Sequence, residues 1–138
     1  MPANLLLLLS RLLLAALFVP AGIQTLGDIG GATGYFAGLG LPSPQLAAWG
    51  VGLFELIAGF AVLIGFQMRI AAGLLAAFCL IAGYIGHYGQ GEDPTLAFLH
   101  TQMLMKDIAI AGGFLALAVA GAGAYSIDGW SRQALTWR

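Results

Sequence analysis

The sequence predicts an all-α fold, a bundle of four transmembrane helices in one membrane domain spanning residues 1–138. Composition makes the first case: 60% of residues are hydrophobic and only 8% charged, against about 25% charged in a soluble domain. So few charges cannot cover a water-soluble surface. Segmentation makes the second, because the apolar residues fall into four stretches, each close to the ~20 residues that cross ~30 Å of hydrocarbon. The third is glycine: much of it lies inside those stretches, as at Gly52, Gly59, Gly83 and Gly113. Such helices would be poor in water, whereas in a membrane small residues let helix backbones approach closely.

The first span covers Leu5 to Leu26. It has no Lys or Arg before Arg11, no clear small-x-small cleavage pattern near Val19-Pro20-Ala21-Gly22, and further spans behind it. Those features favour an uncleaved helix over a signal peptide. Gly27 to Pro44 then carries stop signals, and Tyr35-Phe36-Ala37 within it suggests a short interfacial helix, since aromatic residues favour the headgroup region. The second span is Gln45 to Gly65 and the third Ile70 to Tyr88. The short turn Phe66-Gln67-Met68-Arg69 makes these two antiparallel neighbours. Gly89 to Gln102 reads as a polar connection, and Met103 to Gly121 as the fourth span. Small residues four apart (Ala48 and Gly52, Ala72 and Ala76, Ala109 and Gly113) would permit close crossings, within a chain or between two copies.

Charge placement sets the expected orientation. Arg11, Arg69, Arg132 and Arg138 fall at or near the end shared by the N-terminus, the second connection and the tail. The first and third connections carry only Asp28, Glu92 and Asp93. By the positive-inside rule both termini are cytoplasmic, with Lys106 as the one exception. Trp49, Trp130 and Trp137 read as interface anchors.

Two groups of polar residues stand out. Glu55 lies about 15 Å from either end of its span and Arg11 about 9 Å from the cytoplasmic end, at ~1.5 Å rise per residue. A carboxylate at that depth needs a partner or a proton, and an Arg11–Glu55 pair between the first two spans is expected. It would either fix helix registration or serve proton or quinone chemistry; the third alternative is a neutral, isolated Glu55. At the opposite end Tyr84, His87, His100, Lys106 and Asp107 should meet near one interface. They form either a solvated rim or a proton-handling or ligand site. Two histidines are too few for a confident metal site, and there is no HExxH or CxxCH motif. Metal and haem are therefore disfavoured; the residues name no cofactor, and a quinone is compatible with them. Cys79 is the single cysteine, which excludes an internal disulfide and reads as a small buried hydrophobe. A net charge of −1 without a basic run gives nucleic-acid binding no electrostatic support, and no nucleic-acid partner is expected.

Several segments together resemble the DoxX family of small bacterial membrane proteins. They are Ser10-Arg11-Leu12, Gly38-Leu39-Gly40-Leu41-Pro42, Phe54-Glu55, Leu63 to Arg69, Lys106 to Gly113, and Gly121-Ala122-Gly123 with Ser126-Ile127-Asp128. Two positions depart from the family's pattern. Gly22-Ile23-Gln24-Thr25 lacks the lysine of Gly-x-x-Lys, and Lys106-Asp107 stands where Lys-Asn is common. The resemblance implies a four-helix protein of the bacterial inner membrane, in a family linked to membrane redox systems. Those systems include quinone-linked thiosulfate oxidation and responses to oxidative or thiol stress. Three functions stay open on the sequence: a subunit or accessory of a redox system meeting quinone or a partner oxidoreductase, a proton-coupled transporter working as a homodimer, and a structural or assembly protein without catalysis.

Overall fold

The structure, a computed structural model, describes the backbone of residues 2–136 and side chains as far as Ser131. The side chain of Arg132, together with Trp137 and Arg138, lies outside the described residues. Six helices follow one another: α1 (Pro2–Gly27), α2 (Ile29–Gly38), α3 (Pro44–Ile64), α4 (Met68–His87), α5 (Pro94–Ala120) and α6 (Ile127–Thr136). Of these, α1, α3, α4 and α5 are long and apolar enough to cross a membrane.

Local chemistry sets the boundaries. Asp28 caps α2 by accepting the Gly31 N–H at 2.9 Å, so the expected short helix forms in the first connection. Gly65, at φ 69°, ends α3 in the left-handed conformation, and the Phe66 N–H closes back on the Ala61 carbonyl at 2.9 Å. Asp93 caps α5 by accepting the Thr95 and Leu96 N–H groups, with Pro94 in the first turn. The last spanning helix therefore begins at Pro94 and not at Met103. The polar residues Thr95, His100, Thr101 and Gln102 suggested a loop, yet they lie on the first turns of a helix that is 27 residues and about 40 Å long. That exceeds the ~30 Å of hydrocarbon, so its first turns can stand in the headgroup region or beyond.

The long helices associate as two intimate pairs, α1 with α3 and α4 with α5, and the pairs meet chiefly along α3 and α4. Glycine makes the first pair close. A Cβ on Gly22 would stand 2.6 Å from the Leu56 backbone nitrogen, and one on Gly59 2.9 Å from the Phe18 Cβ. Gly83 does the same for the second pair, where an added Cβ would lie 2.8 Å from the Asp107 side chain. Ala48, Gly52, Ala72 and Ala76 are buried as small-residue crossings require, while Ala109 faces outward. The core, centred on Phe18, Val62, Met68, Leu75, Phe114 and Leu117, fills the end of the bundle that holds both termini. Above it, toward the α4–α5 loop, the two pairs diverge.

Candidate functional site

Arg11 and Glu55 do not form a pair. The packing of Gly22 on Leu56 and of Phe18 on Gly59 fixes the antiparallel register of α1 and α3. That register sets Arg11 level with the turn after α3. Gly22, the level of Glu55, is eleven residues away, or about 16 Å at ~1.5 Å per residue. The buried guanidinium serves backbone instead. Its Nε donates to the Val62 carbonyl at 3.1 Å and its Nη2 to the Leu63 carbonyl at 3.0 Å. Its Nη1 donates to the carbonyls of Ala122 at 2.7 Å and Tyr125 at 2.9 Å. The Val62 and Leu63 carbonyls lie in the last turn of α3, where Val62 also accepts the Gly65 N–H at 3.2 Å, and a cation there complements the helix dipole.

Around Arg11 the tail is tied to the bundle. Asp128 accepts the N–H groups of Gln67 and Met68, each at 2.9 Å, and so caps α4 from another segment of the chain. Ser126 Oγ accepts the Gly129 N–H at 2.9 Å, and Asn4 accepts the Ala124 N–H at 3.0 Å. This knot of Arg11, Ser126 and Asp128 was not foreseen from the sequence. The signal was the helix stop Gly121-Ala122-Gly123, which exposes carbonyls at the end of the last span, together with the one arginine of the first span.

Glu55 lies half-buried on the wall of a cavity of about 620 Å³, where the helix pairs diverge. All of α1 to α5 contribute to it. Phe18 and Phe78 lie at its base, edge-on at a centroid distance of 6.3 Å, with Phe54 packed 5.1 Å from Phe78. Its polar side chains are few: Gln24, Thr25, Asp28, Tyr35, Glu55, His87 and Asp107. Among the described residues Glu55 makes no hydrogen bond or ion pair. Cys79, 4% exposed, also lines the cavity. The cavity position that the family pattern gives to lysine is Thr25, whose methyl would meet a Cβ on Gly52 at 3.1 Å.

On the α4–α5 side three of the foreseen residues converge. His87 Nε2 stands 3.7 Å from Asp107 Oδ2, and His87 Nδ1 lies 3.0 Å from His100 Nδ1. Two features of the chain align them. Gly83 lets α5 approach so closely that Asp107 lies one helical turn below His87. The early start of α5 puts His100 on a rigid helix opposite the end of α4. Tyr84 and Lys106 do not join them: Tyr84 is exposed and stacks on Tyr88 at 4.8 Å, and Lys106 is exposed beside Asp107. Tyr35, which the sequence suggested only as an interfacial aromatic, lines the cavity from its exposed rim with its hydroxyl against Gly86. Among the described residues no group of three or more His, Cys, Asp or Glu is arranged to hold a metal ion.

The DoxX family profile matches residues 6–88, more than half of the chain, including Arg11 and Glu55. The chain belongs to the DoxX family. Inner membrane protein YqjF of Escherichia coli strain K12 is 36% identical over 121 residues, 88% of this chain and 88% of that protein. Inner membrane protein YphA of the same strain is 33% identical over 128 residues, 89% of this chain and 88% of the relative. No solved structure matches significantly. With four apolar helices and these relatives, this DoxX-family chain is a multi-pass inner membrane protein embedded in lipid.

Proposed function

We propose that this DoxX-family protein is the ligand-binding membrane subunit of a redox system, and that its cavity takes the head group of a quinone. The observation that carries the reading is the cavity itself. At about 620 Å³ it falls within the ~300–1,000 Å³ of small-molecule sites, which are mostly apolar with a few placed polar groups. Leu17, Phe18, Phe36, Val51 and Phe78 offer apolar and aromatic contact. Glu55 on one wall and His87 with Asp107 on another can hydrogen-bond the two ends of a flat ring bearing oxygens on opposite sides. A quinone would bring two-electron, two-proton chemistry to the site. The chain's own residues orient it, exclude water and exchange protons, while a partner oxidoreductase supplies or removes the electrons.

The orientation goes with this reading. Both termini, the Arg69 turn and the Arg11–Asp128 knot face the cytoplasm, and the α4–α5 loop with the cavity's polar end faces outward. Arg69 supports it at one end, and Asp28, Glu92 and Asp93 at the other. Reporter fusions after Gln67 should report cytoplasm and fusions at Glu92 the outside; the reverse pattern overturns the orientation.

The function is tested by titrating a short-chain quinone into the protein held in lipid nanodiscs. Saturable one-to-one binding, weakened at least tenfold by Glu55→Gln with the fold retained, is expected. Partition indistinguishable from that of empty nanodiscs overturns the reading.

A further inference from the structure

The geometry points to a proton relay, Asp107–His87–His100, that carries protons between the cavity wall and the loop end of the bundle. It rests on the cavity reading for its purpose but not for its existence. The decisive contact is the pair of Nδ1 atoms 3.0 Å apart. Neutral imidazole carries a proton on one nitrogen only, and two Nδ1–H groups cannot face each other at that distance. One ring therefore donates and the other accepts, and a single proton is shared between the two helices. His87 and Asp107 line the cavity while His100 does not, so the chain of groups leads away from it. Asp107 Oδ2 stands 3.7 Å from His87 Nε2, and closing by about 1 Å reaches hydrogen-bond length.

Outward transfer balances with one proton in and one out, and no electrons move. A cavity donor protonates Asp107, and Asp107 passes its proton to His87 Nε2 as the Nδ1 proton of His87 crosses to His100 Nδ1. His100 then releases its Nε2 proton to water. Rotation of the two rings about their Cβ–Cγ bonds, with exchange to water at the rim while the pair is broken, then restores both tautomers without returning the proton. The groups around this path are Glu55 from α3, Asp28 and Tyr35 at α2, and Lys106 beside Asp107 on α5. An apolar ring bound in the cavity would displace water from its walls, and only side chains would then connect Asp107 with the aqueous phase.

The test uses nitrogen-15-labelled histidine in the ligand-free full chain in nanodiscs; His87 and His100 are the only two histidines, so single variants assign both. A scalar coupling between the two Nδ1 nuclei across the shared proton is expected. With a short-chain quinone filling the cavity, exchange of the His87 ring proton with water should slow at least tenfold in His100→Gln, a rate that a merely structural histidine pair would not change. No coupling, or a His87 exchange rate unaffected by His100→Gln, overturns the relay. Coupling without quinone binding keeps the relay and sinks the cavity reading, and binding without coupling does the reverse.

Discussion

Replacing Arg11 with methionine keeps much of the side-chain volume and removes every donor. The structure sets the size of the loss. The carbonyls of Val62 and Ala122 are paired with Arg11 in buried surroundings, Val62 keeping the Gly65 N–H as a second donor, and those of Leu63 and Tyr125 in partly buried ones. Orphaning a buried acceptor costs about 1–3 kcal/mol, while partly exposed carbonyls recover water at little cost. Relief from burying a cation offsets part of the loss. A net destabilisation of about 2 kcal/mol is expected, roughly thirtyfold in the unfolding equilibrium at ~1.4 kcal/mol per tenfold. Arg11→Lys, with three donors on one point instead of a planar fork, should lose about half as much. Equilibrium unfolding by steric trapping in bicelles measures both. A double-mutant cycle with Glu55→Gln then decides between the two accounts of Arg11. Distant groups should show coupling below about 0.5 kcal/mol. Coupling well above that, or an Arg11→Met variant as stable as the parent, would refute the carbonyl-capping argument.

Three further outcomes follow from the same structure. Asp128→Ala removes the acceptor for the Gln67 and Met68 N–H groups, and should cost about 1–2 kcal/mol in the same unfolding assay. Gly83→Leu should push α5 away from α4 and abolish the coupling between the histidines, because even a Cβ there would stand 2.8 Å from Asp107. Thr25→Lys should fill the cavity and place a cation toward Glu55. Quinone binding should fall at least tenfold with little change in stability, both measured in nanodiscs.

The spanning helices were legible because apolar length is a strong signal, and α2 because Tyr35-Phe36-Ala37 marks a segment suited to the headgroup region. What the sequence obscured has physical causes. Polar residues at 95–102 masked the first turns of α5, since a helix that overreaches the hydrocarbon can carry side chains suited to water. Depth counted along each span assumed that α1 and α3 were level at their ends. The close packing of Gly22 and Gly59 set a different register and took Arg11 away from Glu55. The meeting of His87, His100 and Asp107 followed from the short α4–α5 connection, but its alignment needed Gly83, whose role appears only when the two helices are placed together. Cys79 was read as a buried hydrophobe, and the structure does bury it; its place on the cavity wall depends on how the helix pairs diverge.

The most direct test of the central claim is native mass spectrometry of the protein released gently from its own membrane. One quinone per chain, retained by the parent and lost in Glu55→Gln, is the expected result. A chain that carries only phospholipid, with the Glu55→Gln spectrum identical to the parent's, would contradict it.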